Sequence, residues 1–499
     1  MEFTRRKFDV MGIIQRQGLK SAVVRIIGIC IGAVTTIFFI PALLSVEDIG
    51  LIDTMRRIIT LGLPLLVLGG PQAIRKYFDP LQSTNQSAPL ISTYLFAFIL
   101  TGTIISLAYF MCIDFIYAIF QTKSPQIKEY HGVIYLGLMG FALQNLLIAI
   151  SSVYRRTAVP DFAQNVLNRG VLFLLLMLAV CNFANIKDVP RIYTLIFFVL
   201  PPIATFIYVA GIIKPKIIWP SKKDIKSVLQ KTWLYNIIQV PLSLSNSILL
   251  TVDTIMLSAL AGLQSTGVYS IALFMIALLN ISKRSLTQIS LPIVSGQFAD
   301  GKLGDIASTI KEASKLMTFT TGLFLIALVN GIEILFAIMP NGEAFQNARF
   351  IVYILGIATL TEHLFGLHQM LIDASFKYLL GLINFISVLI LVIALNFLFI
   401  PSYGIYGAAI STAIGTILRA GVNILIIYRN TKLHAFTRQG LMTYTLAILC
   451  IAMSYFLQEY VELPHQSLMQ CVIIPAFFII VCGIASLVPR QIREILKPI

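Results

Sequence analysis

Charge is what this 499-residue chain has least of. Only 12% of its residues are Asp, Glu, Lys or Arg, while 58% are hydrophobic and the mean hydropathy is +0.87. Water-soluble chains carry about 25% charged residues. A chain with half that proportion cannot cover a water-facing surface. A bilayer removes the difficulty, because lipid tails solvate the apolar outside of a fold. Cysteine is scarce too. Cys30, Cys112, Cys181, Cys450, Cys471 and Cys482 form no CxxC pair, and most fall inside apolar runs, where a thiol acts as a small hydrophobe. Neither a disulfide framework nor a metal site is expected. A Walker P-loop is missing, which argues against ATP hydrolysis. The longest outer loop, near 113–130, holds only Asp114, Lys123, Lys128 and Glu129, too little for a glycosyl-transfer site. The sequence therefore reads as a non-enzyme without a cofactor.

Fourteen apolar segments pass a spanning test of about 20 residues. Their expected bounds are 21–44, 50–72, 90–112, 131–154, 162–183, 191–213, 233–258, 265–295, 315–339, 348–371, 378–400, 404–428, 439–458 and 467–488. The fold class that follows is an all-α polytopic membrane protein. The formal charge of +15 fits this reading better than nucleic-acid binding, because Lys and Arg collect in short loops between the apolar runs. With the N-terminus inside, alternate loops hold about 25 basic residues inside against about 5 outside, as the positive-inside rule requires. Both termini are then expected in the cytoplasm of a bacterial inner membrane. Thr4-Arg5-Arg6-Lys7-Phe8 has the look of a twin-arginine signal, but Asp9, Gln15, Arg16, Gln17 and Lys20 occupy the place of the apolar segment such a signal needs. A basic cytoplasmic tail over 1–20 is the expectation, with Met11 as an alternative start.

The longest basic loop, 214–232, contains Pro215, Trp219 and Pro220 and marks a seam. It divides an N-lobe of six spans (21–213) from a C-lobe of six (233–428), and residues 429–499 add two spans and a cytoplasmic tail. A faint repeat agrees. Leu44-Ser45-Val46-Glu47-Asp48-Ile49-Gly50-Leu51 and Leu263-Gln264-Ser265-Thr266-Gly267-Val268-Tyr269 are both short polar turns followed by Gly and an apolar helix. Parallel halves of this kind are common in secondary transporters.

Several stretches resemble one known group. They are PALLSVEDIG (Pro41 to Gly50), GLPLLVLGGPQAI (Gly62 to Ile74), VPDFAQNVLNRGVL (Val159 to Leu172), FIPSYGIYGAAISTAIG (Phe399 to Gly415) and the start MGIIQRQG. Their order and spacing resemble the polysaccharide and O-antigen flippases of the multidrug/oligosaccharidyl-lipid/polysaccharide exporter superfamily, over nearly the whole chain. The resemblance implies two six-helix lobes around a central cavity plus two C-terminal helices. It also implies alternating access and an undecaprenyl-diphosphate-linked oligosaccharide as cargo. That cargo would serve lipopolysaccharide, capsule or exopolysaccharide synthesis, beside other polysaccharide assembly proteins.

Ionisable groups at bilayer depth cost about 2.5–3.5 kcal/mol each on insertion scales and are functional candidates by default. Arg25, Asp53, Arg56, Arg57, Arg169, Asp253, Lys283, Arg284, Glu333, Glu362, His363, His368, Asp373 and Arg419 all fall in apolar segments. Asn280, Lys283, Arg284, Thr287 and Gln288 share one helix face, and Asn236, Gln239, Ser243, Asn246 and Asp253 form a second stripe. Such a stripe must face water or partner helices. Arg25, Arg56, Lys283 and Arg284 are read as lining a cationic cavity for a diphosphate, with Arg57, Arg169 and Arg419 as further candidates. Asn236, Gln239, Ser243, Asn246, Asn280 and Thr287 would line its polar wall. The bland alternatives are that Arg25, Arg169, Arg284 and Arg419 snorkel to the surface and that Arg57 only neutralises Asp53, one turn away. Asp53, Asp253, Glu362 and His363 are candidates for coupling to H+ or Na+, whereas Glu333 reads as interfacial. Glu362 and His363 are adjacent, about 100° apart on a helix, and need not interact. Two other functions compete. A cation-coupled drug antiporter would favour an acidic cavity, and an integral-membrane polymerase or ligase would need a large outer loop.

Overall fold

The computed structural model describes residues 24, 27–82, 86–180, 188–374, 378–460, 466–485, 487–489 and 492. The described residues fold as helices in the expected order. They are α1 (Ile27–Leu43), α2 (Val46–Val67), α3 (Gly70–Gln82), α4 (Ser87–Met111), α5 (His131–Val153), α6 (Ala158–Ala179), α7 (Val189–Ile213), α8 (Lys222–Leu260), α9 (Leu263–Leu279) and α10 (Ile281–Ala299). They continue with α11 (Leu303–Ile338), α12 (Ala348–Leu364), α13 (His368–Ala374), α14 (Tyr378–Tyr403), α15 (Ile405–Thr431), α16 (Arg438–Tyr460) and α17 (Gln466–Ile484). Nine helices among the described residues are long and apolar enough to cross a membrane, and α9 with the first part of α10, bent by 46°, reaches the same length and composition only as a pair. The chain is a multi-pass membrane protein. α2 carries Asp53, Arg56 and Arg57 inside an otherwise apolar helix, and α12, of 17 residues, carries Arg349 and Glu362.

Four expected boundaries are corrected. The loop over 214–232 is irregular only to residue 221, because Ser221 and Asp224 form a capping box that starts α8 at Lys222. At 39 residues α8 is about 58 Å long, far more than the roughly 30 Å of a hydrocarbon core. The segment expected over 50–72 ends at Leu68 and Gly69, which take positive φ of 44° and 74° and turn the chain into amphipathic α3. The span over 265–295 is broken at Asn280. The span over 348–371 ends at Leu364, and α13 resumes after Gly366 at φ +71°.

The chain forms two compact units, Met1–Gly267 and Val268–Ile499. In unit 1, α8 packs on α2, α3 and α4, and α5 packs on α2 and α7. The two turns read as a repeat meet there. A Cβ on Gly50 would lie 2.0 Å from the Leu263 carbonyl oxygen, and one on Gly267 would lie 2.0 Å from that of Val46. Each turn thus lends a glycine to the other's backbone, and only the missing side chains permit the approach. In unit 2, α10, α11, α13 and α15 share a buried apolar cluster that includes Ile310, Met317, Leu367, Met370, Leu371 and Ile427. This cluster packs together the helices that carry Lys283, His368 and Arg419.

Candidate functional site

Unit 2 gathers its charges on one carboxylate. Glu362, in the last turn of α12, is buried, with 5% of its surface exposed. Lys283 Nζ on α10 donates to Glu362 Oε1 at 2.7 Å, and Arg419 Nη2 on α15 donates to the same oxygen at 3.1 Å. His368 Nε2, at the start of α13, lies 3.2 Å from it. The Asn423 amide donates to His368 Nδ1 at 3.2 Å, which leaves the ring proton on Nε2, aimed at Glu362. Asn423 is held in turn by Asn384 of α14, whose amide donates to Asn423 Oδ1 at 2.8 Å. With His368 neutral, Lys283, Arg419 and Glu362 leave one net positive charge. Arg419 Nε is buried without a hydrogen-bond partner.

Its neighbours divide as helix geometry requires. His363 points away from Glu362 and meets the Thr321 hydroxyl of α11 through Nδ1 at 2.6 Å. Lys283 and Arg284 also diverge. Lys283 is half-buried on Glu362, whereas Arg284 is exposed, with no ion pair among the described residues. The expected stripe of α10 is therefore split. Thr287 returns its hydroxyl to the Lys283 carbonyl at 2.8 Å, and Asn280 sits at the bend with its amide on the Ile276 carbonyl at 3.3 Å. The side chains of Gln288 and Asp373 lie outside the described residues. Glu333 pairs with Arg349 at 3.0 Å in a half-exposed position.

Unit 1 distributes its charges instead. Asp53 and Arg57 pair within α2 at 3.3 Å, and Arg57 Nη1 also donates to the Leu250 carbonyl of α8 at 2.6 Å. Arg56 lies over the Phe197 ring of α7, 4.5 Å from its centroid. Arg169 of α6 donates to the Gly28 carbonyl of α1. Asp253 is buried and accepts from the Thr254 backbone N–H at 2.7 Å. Arg25 lies outside the described residues. Of the polar stripe on α8, Asn236, Gln239 and Ser243 are half-buried and touch α3, α4 or their own helix, while Asn246 is exposed.

Asn423, Asn384 and Thr321 were not singled out in the sequence. Asn423 stands one turn beyond Arg419 on α15, which is the available signal. Asn384 and Thr321 are isolated polar residues in apolar runs and give none.

The fold is a polytopic helical bundle that solved structures of MOP superfamily proteins share. The structure is similar to that of the lipid II flippase MurJ in an inward closed conformation, with a TM-score of 0.71 and 14% identity over 94% of this chain and 99% of that one. It is also similar to an inward-facing multidrug resistance MATE family transporter of the same superfamily, with a TM-score of 0.64 and 14% identity over 82% and 98%. A third match is a MOP superfamily transporter from Pyrococcus furiosus described by the reverse polarity of its binding pocket, with a TM-score of 0.60 and 14% identity over 84% and 96%. No family model and no curated protein matches the sequence. At this identity the likeness establishes the fold.

Proposed function

We propose that the chain is a flippase for a polyprenyl-diphosphate-linked oligosaccharide. It moves this cargo from the cytoplasmic to the outer leaflet of a bacterial inner membrane, for O-antigen, capsule or exopolysaccharide assembly. Both termini then lie in the cytoplasm, as the basic loops require. The observation that carries the reading is the convergence of Lys283 and Arg419 on one buried carboxylate. Two permanent cations against one anion leave a positive surplus where charge is expensive, and that surplus suits a phosphate-bearing lipid. Arg can grip phosphate oxygens in pairs, and Lys adds a point charge. Exposed Arg284 of unit 2 is a further cation for the same cargo. The lipid II flippase shares the fold, which supports the reading.

Glu362 is the group through which a cation gradient acts. A diphosphate that draws Lys283 and Arg419 toward itself strips Glu362 of its counter-charges, and a proton or sodium ion then replaces them. A cation-coupled drug antiporter is the second reading, favoured by the shared fold of the multidrug MATE transporters. The surplus of basic over acidic groups around Glu362 weighs against an organic cation as cargo.

The test is transport by the purified chain in vesicles containing a fluorescent polyprenyl-diphosphate oligosaccharide. Flipping by the wild type, cut at least ten-fold in Lys283→Gln, supports the reading. Absent flipping together with proton-driven efflux of an organic cation dye would establish the antiporter.

A further inference from the structure

We infer that unit 1 carries a sugar-contact site at the loop end of its helices, built by α3, α4 and α8, which holds a pyranose of the cargo by its hydroxyls. The inference rests on the flippase reading and names where the sugar head sits. The site is assembled from polar and aromatic side chains. Asn236 Nδ2 on α8 donates to the Tyr94 hydroxyl of α4 at 2.7 Å. Gln239 Nε2 donates to the Tyr235 hydroxyl at 2.8 Å, and Gln72 Nε2 of α3 reaches Ser243 Oγ at 3.5 Å. The Tyr77 and Tyr235 rings meet edge to face at 5.8 Å, and Lys76 Nζ stands 4.1 Å over Tyr235. Gly69 packs close to the Asn236 side-chain carbonyl, and a Cβ added there would crowd that oxygen at 3.2 Å.

Two atoms in this cluster have no hydrogen-bond partner although they are buried: Gln72 Oε1 and Asn236 Oδ1. Buried polar atoms are paired in the great majority of cases, so two such atoms on facing helices need an explanation. Turning either amide over exchanges an orphaned carbonyl for an orphaned NH2 and leaves the deficit in place. As the amides stand, the missing partners are donors, which a phosphate lacks; a sugar hydroxyl donates and accepts, and so completes either orientation. Sugar hydroxyls donate to the two carbonyls and accept from Lys76, and the apolar face of a pyranose lies against a tyrosine ring. Lys76, which makes no ion pair among the described residues, disfavours an organic cation here.

Depth supports the same ligand. Counting back from Leu260 at 1.5 Å per residue, a core of about 30 Å ends near residue 240. Tyr235, Asn236 and Gln239 therefore stand at the membrane boundary, on the side of the basic loop that begins at Lys214. A sugar head attached to a diphosphate in the cytoplasmic leaflet projects into that layer.

The test uses the full chain in lipid nanodiscs and two probes, undecaprenyl diphosphate and the same lipid bearing one N-acetylglucosamine. The wild type should bind the sugar-loaded lipid at least ten-fold more tightly. Gln72→Met combined with Asn236→Leu should bring that ratio to about one. Lys76→Met, an exposed change with little bearing on folding, should lower it several-fold. Equal binding of both probes by the wild type, or a preference that survives both variants, overturns the sugar site while leaving a diphosphate flippase intact. Binding of neither probe removes the flippase reading itself.

Discussion

The two units treat charge at membrane depth in opposite ways. In unit 1 each basic group has its own partner: Arg57 has Asp53 and a carbonyl, Arg56 a phenyl ring, and Arg169 a backbone oxygen. Unlike the unit 2 set, they share no single counter-ion. In unit 2, Lys283, Arg419 and His368 all depend on Glu362, and Asn423 and Asn384 depend on them in turn. A dispersed set suits a fixed scaffold. A convergent set can be rearranged by a single ligand or ion, because one change redistributes every member. Their sequence spacing foreshadows this difference. Asp53 and Arg57 are one turn apart and can pair as soon as α2 forms, whereas Lys283 and Glu362 are 79 residues apart and meet only when four helices pack.

The largest test of the contrast strips Glu362 of both cations. Lys283→Gln with Arg419→Gln leaves a buried carboxylate without counter-charge and should cost about 3–5 kcal/mol, read as a lowered thermal midpoint in detergent. Adding Glu362→Gln should restore the midpoint but not flipping. Full stability of the double variant would show that the convergence is not energetic. A smaller effect belongs to the glycine crossing of unit 1. Gly50→Leu and Gly267→Leu each drive a side chain into a backbone oxygen and should cost about 1–3 kcal/mol or more, with reduced folded yield. Normal yield from both would mean that the turns can part freely. The smallest effect is expected for Asp53→Asn. Its partner Arg57 is a quarter exposed and keeps the Leu250 carbonyl, so the loss should be about 1 kcal/mol or less in the same thermal assay. A loss equal to that of the unit 2 double variant would erase the distinction between the units.

Much of this was legible beforehand. The Asp53–Arg57 pair and the divergence of Glu362 from His363 follow from helix periodicity. The turns at Gly50 and Gly267 look alike in the sequence, but their mutual contact is a tertiary result. Polar stripes were less reliable. The stripe on α10 placed Lys283 and Arg284 together, but adjacent residues point about 100° apart, so one reaches Glu362 and the other stays exposed, while the bend sets Asn280 off from both. The inter-lobe loop was overestimated because a capping box at Ser221 outweighs the polar composition that follows it.

The sequence by itself determined that the chain lives in a bilayer as a set of spanning helices, since lipid demands internally satisfied backbones and long apolar runs, both local properties. It also determined which helices carry charge. Only the tertiary structure decided which charge meets which. Partners tens of residues apart are chosen by the packing of apolar faces such as Met317, Leu367 and Ile427, and the ionic groups accept the positions those faces allow.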